Sequence, residues 1–163
     1  MQETDDLESN VASEVLESEA SSPAIESSYV EMMQVRIAGE ALLIAVSDVS
    51  EVIRLQPLSL VPMAPEHLLG VCNVHGLILC VIDPCRVMHL EGKPSEDSPA
   101  SRFVSLRHPV MNLALRVDSV SELFRIQEDV FSELSSDSNV FFRGSINIEE
   151  QAYRVINTEA LFA

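Results

Sequence analysis

The run Gly70–Leu90, G-V-C-N-V-H-G-L-I-L-C-V-I-D-P-C-R-V-M-H-L, is the most apolar stretch of the chain, and a single glycine at position 76 divides it. On either side lie short segments rich in β-branched and apolar residues. The second, Leu77–Ile82, is apolar at both alternating positions, the pattern of a strand covered on both faces. His75-Gly76 reads as a tight turn, because glycine takes a positive φ without steric cost. Asp83-Pro84 ends the second strand, since proline has no N–H to give to a ladder. The stretch therefore predicts a buried β-hairpin followed by one short helical turn over Cys85–Leu90.

The rest of the composition sets bounds on that hairpin's surroundings. At 163 residues the chain is the size of one domain or two very small ones. Tryptophan is absent and aromatics are scarce, so the core must be Val, Ile, Leu, Met and Ala. The formal net charge of −16 opposes binding to a phosphate backbone or to anionic lipid. That charge leaves no nucleic-acid partner expected, and no membrane insertion is expected either, because no apolar run approaches the roughly 20 residues that span a bilayer. Three cysteines without a signal peptide point to free thiols in a reducing, cytoplasmic setting.

Outward from the hairpin the chain changes character several times. Residues 1–28 hold eight acids, seven serines and no base, which predicts a disordered acidic tail. Val11, Val15 and Leu16 within it could form a short amphipathic turn. Val30–Ala38 and Ala41–Val46 are apolar runs around Gly39-Glu40, a plausible hairpin turn. Pro57, Pro62 and Pro65 exclude a helix and suggest an extended crossover. Glu91–Ser101 is polar, with Gly92, Pro94 and Pro99, and reads as a linker or long surface loop. Arg102–Leu106 and Val110–Val117 flank His108-Pro109. Val140–Ile148 and Ala152–Ile156 form a last extended pair, and Thr158–Phe162 a C-terminal turn.

These segments repeat. Val49–Leu55, V-S-E-V-I-R-L, matches Val120–Ile126, V-S-E-L-F-R-I, at four of seven positions and an offset of 71. Ala41–Val46 aligns with Asn112–Val117 at the same offset. Gly70–Val74 matches Gly144–Ile148 at an offset of 74, as Val81-Ile82-Asp83 matches Val155-Ile156-Asn157. Two related β units of roughly 65 residues are implied. Units so small bury little core alone, so they should pack together and swap terminal strands. Four or five short strands avoid open edges by closing on themselves, which predicts two small β-barrels side by side. One signal competes: Val120, Leu123, Phe124, Val130, Phe131 and Leu134 fit a helical stripe over Ser119–Leu134. The match to residues 49–55 favours strand or turn for 119–126.

The order V-S-E-V-I-R-L, proline-rich crossover, G-V-x-N-x-x-G-x-x-x-x-V-I-D and V-D-x-V-S-E resembles the CheW-like domain, over about Tyr29–Phe162. That resemblance implies a mainly β fold of two five-stranded SH3-like barrels around a shared apolar core. It also implies a non-enzymatic adaptor without cofactor or metal. The implied partners are a CheA-type histidine kinase, through its regulatory domain, and the cytoplasmic tip of a chemoreceptor. Type IV pilus twitching is one setting of such pathways. The resemblance places partner binding at Val49, Glu51, Ile53, Asn73, Val74, His75 and Gly76. Two positions depart from the family. His75 stands where the family has an arginine that makes an ionic contact, and Asn157 replaces a late acidic residue. A Glu51–His75 pair would be weaker than Glu–Arg, because imidazole carries its charge only part of the time near neutral pH. These departures keep open a divergent regulator with a different partner.

Cys72, His75, Cys80, Cys85 and His89 cluster within 18 residues and raise a third reading, a metal- or thiol-dependent enzyme. The spacing is not that of a paired C-x-x-C zinc site, and cysteine also serves as a small buried hydrophobe. A mid-strand Cys80 would be inert, and no nucleophile elbow, phosphate loop or paired-carboxylate motif occurs. Asn73 is read mainly as a turn residue bonding local backbone.

Overall fold

The central apolar run folds as a hairpin whose turn is His75-Gly76, both at positive φ (54° and 81°), as a two-residue type I′ connection requires. The structure is a computed structural model that describes residues 28–93, 95–132 and 134–162. In chain order the elements are β1 (Tyr29–Ile37), β2 (Glu40–Ala45), a 3-10 turn (Val46–Asp48), β3 (Val49–Arg54), β4 (Leu68–Val74), β5 (Leu77–Ile82) and α1 (Pro84–Val87). There follow β6 (Arg102–Leu106), β7 (Leu113–Val117), β8 (Ser119–Gln127), α2 (Glu128–Ser132), β9 (Phe142–Ile148), β10 (Gln151–Ile156) and α3 (Thr158–Leu161). The expected acidic tail lies outside the described residues, apart from Ser28.

Two five-stranded sheets form, in the orders β8-β1-β2-β10-β9 and β3-β6-β7-β5-β4. Adding five to a strand number converts one order into the other. The chain thus lays β1–β2 in the first sheet and β3–β5 in the second, then β6–β7 in the second and β8–β10 in the first. Each barrel is completed by strands from the opposite half of the sequence, the exchange the repeat implied. The joints are parallel pairings, β10 with β2 and β5 with β7.

The exchange dictates which residues are buried. In β2, Leu42 and Ile44 face a core shared by both sheets, while Leu43 and Ala45 face the interior of the first barrel. In β7, Leu113, Leu115 and Val117 face the shared core and Ala114 the second barrel's interior. Strands covered on both faces lose the polar alternation of a solvated sheet, and the apolar runs Ala41–Ala45 of β2 and Leu113–Leu115 of β7 follow from that. The same reasoning fails for the start of β5. Leu77 and Ile78 are 59% and 56% exposed, and only Leu79 onward is covered, because the hairpin projects beyond its neighbour β7.

Other expectations shift locally. The first hairpin turns at Ala38-Gly39 (φ 53° and 82°), one residue earlier than Gly39-Glu40. The competing helical stripe is split: residues 119–127 are strand, paired with β1, and the helix is confined to Glu128–Ser132. Pairing with β1 outweighs helical periodicity there because β8 would otherwise leave that edge open. The loop 91–101 is tied to the body. Gly92 lies against Ala38, where a Cβ would come within 2.3 Å of the Ala38 carbonyl oxygen, and the Cys85 thiol donates to the Gly92 carbonyl at 3.1 Å.

Gly70 and Gly144 occupy equivalent places in the two halves. Both have φ near +150°, and each sits beneath a one-residue bridge from the preceding crossover, Ser59 to Val71 and Ser135 to Ser145. A Cβ would stand 2.8 Å from the Ser59 carbonyl oxygen at Gly70 and 2.1 Å from that of Ser135 at Gly144. Backbone, not a flexible side chain, is in the way. We expect Gly70→Ala and Gly144→Ala each to lower unfolding stability in denaturant by about 2–3 kcal/mol, while Gly39→Ala, with open space around it, loses only about 1.

The second half's crossover is also pinned by Asp137. Its carboxylate accepts from the Asn139 backbone N–H at 2.9 Å and from Arg154 Nε at 3.1 Å. Asn139 in turn donates to the Met88 carbonyl, joining the two halves. The Asn139 N–H, and then Arg154, hold the Asp137 carboxyl below the usual carboxylate range. A lowered folded-state value means the contribution is present above the unfolded aspartate's range and is lost as pH falls through the folded one. Asp137→Asn should therefore destabilise the protein near neutral pH, and its denaturation midpoint should converge on that of the parent in acid.

Candidate partner-binding site

β3 and β4 are the two outer strands of the second sheet, yet the sheet curls until they approach each other. Glu51 on β3 and His75 in the β4–β5 turn meet across that closure, with Nε2 3.2 Å from one carboxylate oxygen and 3.3 Å from the other. The pair that the resemblance implied therefore forms, at the surface. Beside it opens a cleft of about 600 Å³, lined by Glu51, Val74, His75, Leu77, Arg107 and His108.

The hairpin positions His75 through its own turn chemistry. The Asn73 side-chain oxygen accepts from the Gly76 N–H at 3.0 Å, closing the turn and fixing the imidazole's direction. His75 itself adopts φ 54°, which the adjoining Gly76 makes tolerable within the type I′ turn. On the far wall, His108 Nδ1 accepts from the backbone N–H groups of Val110 and Met111 at 3.1 and 2.9 Å. That assigns the ring proton to Nε2. The ring stacks on Phe162 with centroids 4.3 Å apart, so the chain's C-terminal turn buttresses the wall. Arg107 is anchored through Nε to the Val49 carbonyl at 2.9 Å. The cleft joins these polar groups to an apolar lining of Val74, Leu77, Leu79 and Leu106.

Of the seven residues singled out in the sequence, Glu51, Val74 and His75 line this cleft, and Asn73 and Gly76 build its turn. Val49 and Ile53 do not face it. Val49 is 8% exposed in the shared core, and Ile53 packs into the second barrel's interior. A register shift between Val49 and Glu51 is the reason: the bulge at Ser50 sends Val49 to one face of the strand and Ile53 to the other. Leu77, Arg107 and His108 also line the cleft and were not singled out. The two-sided apolar pattern hid Leu77, and the 108–112 loop acquires its place only through the barrel closure.

The cysteines disperse. Cys72 lies in the second barrel's interior and Cys85 in the shared core. Burial pushes both thiols up, and the Asp83 and Asp118 carboxylates add to the effect at Cys85. Among the described residues, no three His, Cys, Asp or Glu side chains converge as metal ligands would. Native-state labelling with iodoacetamide should leave Cys72 and Cys85 unmodified until the protein is unfolded.

A family model described as the CheW-like domain matches residues 31–163. The chain belongs to the CheW-like family. It is 30% identical over 139 residues to a probable chemotaxis protein CheW of Rhizobium etli, covering 82% of this chain and 87% of that one. Its fold matches the crystal structure of the scaffolding protein TtCheW from Thermoanaerobacter tengcongensis with a TM-score of 0.73. That match spans 85% of this chain and 91% of the other at 22% identity. The mainly β architecture of two SH3-like barrels is thereby that of the family. No helix among the described residues is long and apolar enough to cross a membrane.

Proposed function

We propose that this protein is a non-enzymatic adaptor of a chemotaxis-type pathway, acting in the cytoplasm at receptor arrays. In this reading it couples the cytoplasmic tip of a chemoreceptor to the regulatory domain of a CheA-type histidine kinase. The observation that carries the reading is the Glu51–His75 pair at the rim of the cleft, where the family resemblance puts an ionic contact. Membership of the family and the 30% identity to a chemotaxis protein support it.

The cleft suits such a role. Apolar side chains at its rim offer area, and the charged groups beside them set orientation more than affinity. The Glu51–His75 pair is exposed and contributes only about 0–1 kcal/mol to stability, so its substitution tests binding with the fold intact. Holding two partners in a fixed geometry needs no reactive group.

Co-purification with the kinase and receptor of the same cell tests the reading. Glu51→Arg and Leu77→Glu should each weaken retention of receptor or kinase at least tenfold, without changing the circular dichroism spectrum. Binding to neither partner by the unaltered protein would refute the reading. His75 and Asn157 favour one variation, a partner altered from the family's usual one. Asn157 starts α3 without a side-chain cap and instead donates to the Val140 carbonyl at 3.2 Å, whereas its counterpart Asp83 caps α1 through the Cys85 N–H. Restoration of kinase binding by His75→Arg would identify that variation. Loss of twitching rather than swimming on deletion would place the pathway with the type IV pilus.

A further inference from the structure

The two halves build one equivalent hairpin differently. Leu106 pairs with Val49 as Val35 pairs with Val120, so β6–β7 repeats β1–β2 at an offset of 71. Arg107, His108 and Pro109 then stand where the first half has Arg36, Ile37 and Ala38. β1 and β2 stay paired as far as Ile37 and Glu40, and their turn needs φ 53° at Ala38. Proline at 109 cannot take that angle, because its ring fixes φ at about −65°. The β6–β7 ladder accordingly stops at Ser105 and Ala114, and lacks the pairs equivalent to Val35–Leu42, Arg36–Ala41 and Ile37–Glu40.

The opened end redirects its side chains. Ile37 is 2% exposed in the shared core, whereas His108 is exposed and its Nδ1 takes the Val110 and Met111 N–H groups. Arg36 donates from a terminal guanidinium nitrogen to the Gly39 carbonyl of its own turn at 2.9 Å. Arg107 is held through Nε instead, and its two terminal nitrogens make no hydrogen bond or ion pair among the described residues. The His108 Nε2–H is likewise without an acceptor there. Both side chains line the cleft of about 600 Å³, and its one acidic lining residue, Glu51, is already held by His75 at 3.2 Å. The far wall therefore presents donors and a fixed positive charge, next to the apolar Val74, Leu77, Leu79 and Leu106.

We propose that this wall receives a carboxylate of the partner, from an Asp or Glu adjoining an apolar side chain that seats on Val74 and Leu77. The inference rests on the cleft being the partner surface, and adds what the partner must bring to it. A guanidinium fork matches a carboxylate and keeps its charge at any physiological pH. A hydroxyl or backbone carbonyl would meet the hydrogen bonds but leave that charge unanswered. The chain's total of −16 does not decide the contact, since exposed charges beyond about 8 Å are largely screened at physiological salt.

Calorimetric titration of the full chain with the receptor tip and with the kinase regulatory domain of the same cell tests the proposal. For the partner that the unaltered protein binds, Arg107→Gln should weaken binding about tenfold and Arg107→Glu further, with unchanged thermal unfolding. The loss in Arg107→Gln should shrink as salt is raised. Replacement of one acidic residue of the partner by Arg should recover binding to Arg107→Glu, which a merely structural role for Arg107 would not allow. Binding by the unaltered protein that Arg107→Glu leaves unchanged overturns the inference while the adaptor reading stands. So does a loss that no acid-to-Arg exchange in the partner recovers. Binding of neither partner by the unaltered protein overturns both.

Discussion

Everything in this fold depends on two strands that are buried on both faces. β2 and β7 each present one row of side chains to the core shared by the sheets and the other row to a barrel interior. Leu42–Ala45 of β2 and Leu113–Leu115 of β7 are apolar at every position, and neither strand can be removed without opening two clusters at once. Their partners across the parallel joints, β10 and β5, come from the other half of the sequence. The barrels are therefore coupled through covalent crossing as well as through packing, and should unfold together.

That coupling places the site. The Glu51–His75 contact exists because the two outer strands of a curled sheet come together, and the sheet curls around an interior supplied partly by β6 and β7. A residue of the second half, Arg107, anchors on the Val49 carbonyl and helps wall the cleft. Phe162, from the last turn of the chain, supports His108. The surface proposed for partner binding is thus assembled from both halves, although its ion pair lies wholly in the first. Mutations remote in sequence, in the C-terminal turn for instance, reach the cleft through stacking.

Much of this was legible in the residues. The repeated V-S-E segment and the paired Gly-x-x-Asn hairpins gave the duplication, and duplication of units too small to fold alone gave the strand exchange. Turn chemistry at Asn73, His75 and Gly76 was readable because it is local. What escaped reading was the fine parity of strands. A bulge at Ser50 is invisible in V-S-E-V-I-R-L, yet it turns Val49 and Ile53 to opposite faces and removes both from the cleft. Leu77 and Ile78 looked like core because periodicity cannot tell a covered strand from one that overshoots its neighbour. The far wall of the cleft, His108 and Pro109, depends on a closure that no local pattern encodes.

The exchanged strands also bear on how such a molecule came to exist. Half of this chain, taken alone, carries two strands of one sheet and three of the other, and can complete neither. It could satisfy them only against a twin, each lending the other what it lacked. A polypeptide of half this length with the same strands would have to intertwine with a twin, and the segment 91–101 is the covalent link that makes the two halves one chain. Joined in one chain, the halves need not be identical: the turn that is His75-Gly76 in the first is Glu149-Glu150 in the second, so one covalent link lets a single copy of the hairpin carry the contact to Glu51.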